Sequence, residues 1–138
     1  MKIVALIPAR GGSKGIKNKN IIKINKRPLI EYSIRTAKKS KLIQEIFVST
    51  DSPKIQKIAE KLGANAPFLR PKKISQDKST DLEFFLHFNK WYKKIFGSKI
   101  DYIVHLRPTT PFRDVKLIDS AILKFIKNKN YSSLRSLI

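Results

Sequence analysis

The 138-residue chain has no cysteine, one methionine, one tryptophan and only five glycines. Without cysteine, it can form neither disulfide bridges nor zinc sites with thiolate ligands. Its apolar runs are far shorter than the roughly 18 residues that a membrane-spanning helix needs. The N-terminus leads straight into a strand-like segment, without the features of a secretory signal sequence. These absences predict a cytoplasmic protein that does not bind membranes.

Acidic residues are also scarce, since ten Asp and Glu stand against 30 Lys and Arg and give a formal net charge of +20. Such an excess can indicate nucleic-acid binding, because clustered cations neutralise phosphates. Here the lysines are spread from Lys2 to Lys129 without one dominant block. We therefore favour lysine as the ordinary surface residue, with no specific nucleic-acid partner; a basic nucleic-acid-binding module is the alternative. The charge would still raise the local concentration of an anionic substrate.

The order of apolar patterns predicts the fold class. At 138 residues and 41% hydrophobic composition, the chain is expected to be one domain with its own core. Strand-like runs are found at 3–8, 46–48 and 102–106. Helical periodicity is found at 28–40, 52–63, 81–96 and 114–127. This alternation predicts an α/β doubly wound, mostly parallel sheet with helices on both faces.

Three finer expectations concern the helices and the end of the chain. The longest helix should pack through Leu82, Phe85, Leu86, Tyr92 and Phe96. Thr80 and Asp81, at its start, could contact a ligand, but helix capping is the interpretation we favour. A further strand is expected to begin at Tyr131.

A glycine-rich, cationic loop from Arg10 to Lys19 directly follows the first strand; we call it the first loop. Gly11 and Gly12 are adjacent, so backbone N–H groups there can approach a ligand closely. Surrounded by positive side chains, such a loop suits a polyphosphate. Its spacing matches neither the Walker A loop nor the dinucleotide-binding fingerprint. A solvated basic turn is the alternative.

Two other polar segments, at 49–51 and 107–113, also come directly after predicted strands. In an open parallel sheet, ligands bind at the carboxyl ends of the strands. We therefore expect these two segments and the first loop to meet at one edge of the sheet. That convergence is what a nucleotide site requires.

These motifs together resemble a known family. The segment IPARGGSKG at 7–15, followed by KNI at 19–21, closely resembles the opening of the acylneuraminate cytidylyltransferases, which make CMP-activated sialic acids. VSTD at 48–51 and LRPTTPFR at 106–113 resemble later segments of the same family, in the same order. LRP at 69–71, with Asp77, is a weaker fourth match.

The resemblance implies transfer of CMP from CTP to the anomeric hydroxyl of a 2-keto sugar acid, with release of pyrophosphate. Sialic, legionaminic, pseudaminic and eight-carbon acids all fit that description. Arg10 and Lys19 match the catalytic cations, which stabilise the charge that develops on the phosphates. The expected nucleotide-binding residues are Ala9, Gly11, Gly12, Ser13, Lys14, Asn20 and Arg70. The expected residues for the sugar acid are Arg107, Thr109 and Thr110.

The same resemblance implies a Mg²⁺ cofactor and a homodimer. Family enzymes hold the metal with aspartates near the end of a longer domain, and neither Asp51 nor Asp101 matches that position. We therefore expect no metal ligands in this chain, and we expect His87 and His105 to be structural. Residues 1–138 are expected to form a nucleotide-binding domain that is incomplete at its C-terminus. A catalytically inactive remnant is the alternative.

Overall fold

The computed structural model describes residues 1–12 and 15–136. Three parallel strands form the main sheet, in the order β4 (Glu45–Ser49), β1 (Ile3–Pro8) and β5 (Tyr102–His105). The central strand β1 is buried along five of its six residues. Pro8 pairs with Ser49 and Leu6 pairs with His105, so the carboxyl ends of all three strands lie at one edge. The predicted α/β fold with a parallel sheet is confirmed.

Helices cover both faces of this sheet. They are α1 (Leu29–Lys39), α2 (Pro53–Lys61), α3 (Asp81–Phe96) and α4 (Val115–Lys127). Because successive side chains of a strand point to opposite faces, β1 contributes to two cores. Ala5 and Ile7 pack with residues of α1 and α2, and Ile118 of α4 packs against the same cluster. Val4 and Leu6 pack with the aromatic residues of α3 on the other face.

The bounds predicted for α3 are confirmed, but its predicted packing face is wrong in part. Phe84, Phe88 and Tyr92 are the buried residues of this helix. Leu82, Leu86 and Phe96 are instead 63%, 59% and 50% exposed. Apolar residues lie on more than one side of α3, so periodicity alone does not select a face. The buried face is the one that packs against Phe47 of β4, whose ring lies 5.1 Å from the ring of Phe88.

Local signals account for two of the helix starts. At the start of α2, the Ser52 hydroxyl accepts a hydrogen bond from the Ile55 backbone N–H at 3.3 Å, and Pro53 is the first helical residue. At the start of α3, the Glu83 carboxylate accepts the Thr80 backbone N–H at 3.2 Å. Thr80 is therefore a helix cap, as favoured from the sequence.

Two features differ from the sequence expectations. A short hairpin of β2 (Lys23–Ile24) and β3 (Arg27–Pro28) precedes α1. Asn25 and Lys26 form its two-residue turn with φ angles of 50° and 66°, the left-handed conformation that tight hairpin turns require. The strand expected from Tyr131 does not form over 131–136, which are exposed and pair with no strand of the described chain; positions 137 and 138 lie outside the described residues. No described helix has the length and apolar character needed to cross a bilayer.

Candidate functional site

A pocket of about 290 Å³ lies at the carboxyl edge of the sheet. The first loop, the segment around Arg70, the 74–81 segment and the loop after β5 all contribute to its wall. The predicted site residues that line it are Arg10, Lys19, Asn20, Arg70, Arg107 and Thr109. Ala9, Gly11, Gly12 and Thr110 lie outside this lining, and Ser13 and Lys14 lie outside the described residues. The volume is close to the lower end of the range for small-molecule sites, about 300 to 1,000 Å³.

The first loop is held against the end of β4 by its backbone. The Ala9 N–H donates to the Ser49 carbonyl at 2.9 Å, which continues the ladder between β1 and β4. Two residues later, the Gly11 N–H donates to the Asp51 carboxylate at 2.8 Å. The VSTD segment therefore lies beside the pocket and contacts the first loop instead of lining the wall.

Arg10 and Lys19 are brought to the same pocket from opposite ends of the first loop. The buried Asn20 joins these ends, since its side-chain amide donates to the Arg10 carbonyl at 3.0 Å. The Arg10 guanidinium forms an ion pair with Asp77 at 2.6 Å, and both side chains are partly exposed. A ligand anion can therefore reach Arg10 only by sharing it with Asp77 or by replacing that carboxylate.

Arg70 is only 5% exposed, which is unusual for an arginine. One guanidinium nitrogen donates to the Ser49 carbonyl at 3.3 Å, and the group lies 5.4 Å from the centre of the Phe84 ring. Burial lowers the pKa of Arg70, and the nearby Asp51 carboxylate opposes that effect. The Arg70 Nε atom has no hydrogen-bond partner among the described residues. This Nε atom is itself shielded from solvent, so Arg70 contributes to the pocket wall through its other atoms.

The loop after β5 presents Arg107 and Thr109 to the pocket. Arg107 forms an ion pair with Asp81, at the start of α3. The loop is anchored from behind by Arg113, whose guanidinium donates to the Arg107 carbonyl at 2.7 Å and to the Ser33 hydroxyl at 3.1 Å. No role is predicted for Arg113 from the sequence, where its place in the LRPTTPFR segment is the only signal for it.

The two histidines pack against aromatic rings, as expected of structural residues. The ring of His105 lies 5.5 Å from Phe84 and 5.0 Å from Phe85, and burial lowers its pKa from 6.5 to about 4. His87 lies 4.8 Å from Phe68, and burial lowers its pKa as well. Neither imidazole lines the pocket.

Comparison with known proteins now decides the family. A sequence model of the cytidylyltransferase family matches residues 4–137. The chain belongs to the cytidylyltransferases. An N-acylneuraminate cytidylyltransferase of Escherichia coli is 36% identical over 135 residues, which cover 98% of this chain and 31% of that protein. A pseudaminic acid cytidylyltransferase of Campylobacter jejuni is 37% identical over 137 residues, which cover 94% of this chain and 56% of that protein.

Solved structures show the same cytidylyltransferase architecture. A cytidylyltransferase from Leptospira borgpetersenii superposes with a TM-score of 0.72 at 27% identity, covering 94% of this chain and 50% of that one. A CMP:2-keto-3-deoxy-manno-octonic acid synthetase complexed with CTP has a TM-score of 0.75 at 20% identity, which shows the shared fold. It covers 93% of this chain and 48% of that one. The chain therefore spans about a third to just over half of these relatives.

The carboxylates in and beside this pocket do not fit a magnesium site of their own. Asp77 is paired with Arg10 and Asp81 with Arg107, while Asp51 accepts the Gly11 N–H. Within residues 1–12 and 15–136, no group of three potential metal ligands occurs. Mg²⁺ needs carboxylate oxygens that are free to coordinate it. No step is therefore assigned to a metal held by these residues.

Proposed function

We propose that this chain binds CTP at the carboxyl edge of its sheet, as the nucleotide-binding part of a cytidylyltransferase that acts on a 2-keto sugar acid. One observation carries the proposal: four cations from three separate segments of the sequence line a single pocket. They are Arg10, Lys19, Arg70 and Arg107. A triphosphate has several negative charges to place, and fixed cations are the groups that stabilise them.

Each cation has a role that its surroundings suggest. Arg10 and Lys19 would hold the triphosphate, because they flank the loop whose backbone is fixed at the end of β1. Arg70 would contact the cytidine half of the nucleotide, because it forms part of the pocket wall and matches the family arginine with that role. Arg107 would pair with the carboxylate of the sugar acid, which a guanidinium can bind through two hydrogen bonds. Asp81 already shows that a carboxylate fits against Arg107.

The reaction proposed for this pocket is a displacement at phosphorus. The anomeric hydroxyl of the sugar acid attacks the α-phosphate of CTP and forms a new P–O bond, and the hydroxyl proton is released. The bond between the α-phosphorus and the bridging oxygen breaks, so pyrophosphate leaves with the electron pair. Negative charge grows on the α-phosphate oxygens and on pyrophosphate, where Arg10 and Lys19 would stabilise it.

The names of the relatives support a class of sugar acid and no single member. They include N-acylneuraminate, pseudaminic acid and N,N'-diacetyllegionaminic acid enzymes. All three names denote nine-carbon 2-keto acids, so a carboxylate beside the reacting hydroxyl is the shared feature. Magnesium and the homodimer stay predictions from the family resemblance.

The second candidate function is nucleotide binding without turnover. It is favoured by the carboxylates near the pocket, since Asp77 and Asp81 of its wall each pair with an arginine and Asp51 beside it accepts a backbone amide. Both candidates predict CTP binding, and they differ in the chemical step after binding. Only the first predicts pyrophosphate release when a sugar acid is added.

Calorimetric titration of the 138-residue protein with CTP tests the shared part of the proposal. We expect saturable binding of CTP, weaker binding of UTP and ATP, and loss of CTP binding when Arg70 is replaced by Ala. Binding that is equal for all nucleotides and falls steeply with salt would indicate a non-specific polyanion surface and contradict the proposal. A pyrophosphate assay with neuraminic, legionaminic, pseudaminic and eight-carbon acids then separates the two candidates.

A further inference from the structure

The end of β4 contacts the first loop through one carboxylate that does not line the pocket. Asp51 lies two residues beyond β4, and its Oδ1 atom accepts the Gly11 N–H at 2.8 Å. The side chain is only partly exposed. Asp51 therefore contacts the backbone of the first loop and is not one of the residues that line the pocket.

Gly11 is the residue that permits this contact. A Cβ atom built at Gly11 would lie 3.0 Å from the Ser52 Cβ and 3.7 Å from the Asp51 carboxylate. The first distance is tighter than nine in ten real Cβ contacts. The two segments therefore approach closely because position 11 has no side chain, and the Asp51 carboxylate uses that approach to reach the amide.

Ala9 and the first two residues of the loop are held by groups outside the loop. The Ala9 N–H is held by the Ser49 carbonyl, the Arg10 carbonyl by the Asn20 amide and the Gly11 N–H by Asp51. Arg10 is the middle residue of the three, and its side chain lines the pocket. A backbone held on both sides of Arg10 fixes the direction of its Cα–Cβ bond, and so the direction in which the side chain leaves the loop.

The negative charge of Asp51 is unfavourable for a polyphosphate ligand in the neighbouring pocket. A carboxylate near the pocket repels a polyphosphate and favours the charged form of the neighbouring Arg70. Its presence beside an anion site is explained if its hydrogen bond to the loop outweighs that repulsion. If the residue at position 51 assisted polyphosphate binding through its charge alone, that residue would be positively charged.

We propose that Asp51 is a positioning residue for polyphosphate binding: it holds the Gly11 amide and thereby directs Arg10 at the phosphates. This inference rests on the proposed function. Hydrogen-bond geometry predicts weaker binding in Asp51→Ala and Asp51→Glu, whereas repulsion by charge alone predicts tighter binding in Asp51→Ala and no change in Asp51→Glu, so these two substitutions separate the accounts. Asp51→Asn keeps an acceptor oxygen in place and removes the charge. Asp51→Glu keeps the charge and displaces the carboxylate by one methylene group.

The experiment measures CTP affinity by calorimetry for the wild-type protein and three variants at Asp51. We expect Asp51→Ala and Asp51→Glu to weaken binding about tenfold, as loss of a charged hydrogen bond typically does. Asp51→Asn should bind as tightly as the wild type, or a few-fold more tightly because a repulsive charge is gone. Thermal unfolding of each variant checks that the proteins are folded at the titration temperature.

The chain offers a matched control at the other end of β1. There Asp101 accepts the Lys2 N–H at 2.6 Å, so a carboxylate again holds a backbone amide beside β1, far from the pocket. Asp101→Ala should leave CTP affinity unchanged within about twofold, since it affects no phosphate-binding group. Equal losses in the Asp51 and Asp101 variants would show a general effect on the fold and overturn the inference.

Other outcomes separate this inference from the proposed function. Tighter binding in Asp51→Ala, or a loss in Asp51→Asn with none in Asp51→Glu, would show that charge governs the site and overturn the positioning role. If the wild type binds no CTP, the proposed function fails. Inorganic tripolyphosphate then tests the same variants, and a wild type that binds neither probe overturns both.

Discussion

The two ends of the parallel sheet differ in how their positively charged side chains are arranged. At the amino end, the Lys2 N–H is held by Asp101 at 2.6 Å and the Ile3 N–H by the Gln44 side chain at 2.7 Å. The Lys2 ammonium lies 3.5 Å from Glu45, so the cation there has a nearby acid. At the carboxyl end, four cations line one pocket, and only Asp77 and Asp81 of its wall offset them.

This difference shows that the net charge of +20 does not define the site. Cations are present at both ends, but at the carboxyl end four of them, from three separate segments of the sequence, line one pocket. Strand polarity produces the asymmetry, because loops that leave parallel strands on the same edge must meet there. A substitution at one end, compared with its counterpart at the other, therefore tests whether position or charge decides binding.

The largest effect is expected from Arg10→Ala, with Lys2→Ala as its counterpart. Each variant removes one cation beside β1. Arg10→Ala should weaken CTP binding ten- to a hundredfold, since a charged hydrogen bond contributes about 1.5 to 3 kcal/mol. Turnover in the proposed reaction should fall about a hundredfold. Lys2→Ala should leave CTP affinity within about twofold of the wild type. Calorimetry and pyrophosphate release measure both, and similar losses in the two variants would mean that net charge governs binding.

The second prediction concerns the stability of the protein in acid, which we expect to depend on His105 at the carboxyl end of β5. Burial lowers the pKa of His105 to about 4; Asp81 acts against this, while Arg107 and Arg113 add to it. The unfolded chain therefore takes up a proton on this residue more readily than the folded protein. The free energy of unfolding therefore decreases as the pH falls from 6.5 to about 4. Above pH 6.5, His105 is neutral in both states and does not affect stability.

Allowing for solvent around a partly exposed ring, we expect His105 to reduce the free energy of unfolding by about 1 to 2 kcal/mol over that range. Other groups also titrate there, so the measurement is the difference between the wild type and His105→Phe in urea unfolding at several pH values. The phenylalanine ring would keep the packing against Phe84 and Phe85. A constant difference between the two proteins from pH 6.5 to pH 4 would contradict the prediction.

The sequence predicted the features that depend on local signals. The first strand, the bounds of α3 and the cap at Ser52 depend on residues that are neighbours in the chain. The meeting of the loops was also predictable, because strand polarity fixes where each loop leaves the sheet. For the same reason, the pocket contains both Arg10 and Arg107 although 97 positions separate their residue numbers.

Other features depended on contacts that no local pattern records. The buried face of α3 was decided by Phe47 of another element, and the burial of Arg70 runs against the usual exposure of arginine. The hydrogen bonds of Arg113 join it to Ser33, 80 residues away in sequence. The ion pair between Arg10 and Asp77 likewise spans 67 positions. Such pairs become visible only when the fold brings the segments together.

The smallest effect is expected from Asp77→Asn, with Glu45→Gln as its counterpart at the amino end. Each variant removes the acid of a partly exposed ion pair, Arg10–Asp77 at 2.6 Å or Lys2–Glu45 at 3.5 Å. Such pairs contribute about 0.2 to 1 kcal/mol, so freeing Arg10 should tighten CTP binding up to about fivefold. Glu45→Gln should not change it. The gain should shrink as salt screens the pair, which titrations at two ionic strengths would measure. Weaker CTP binding by Asp77→Asn would instead show that Asp77 supports the bound nucleotide.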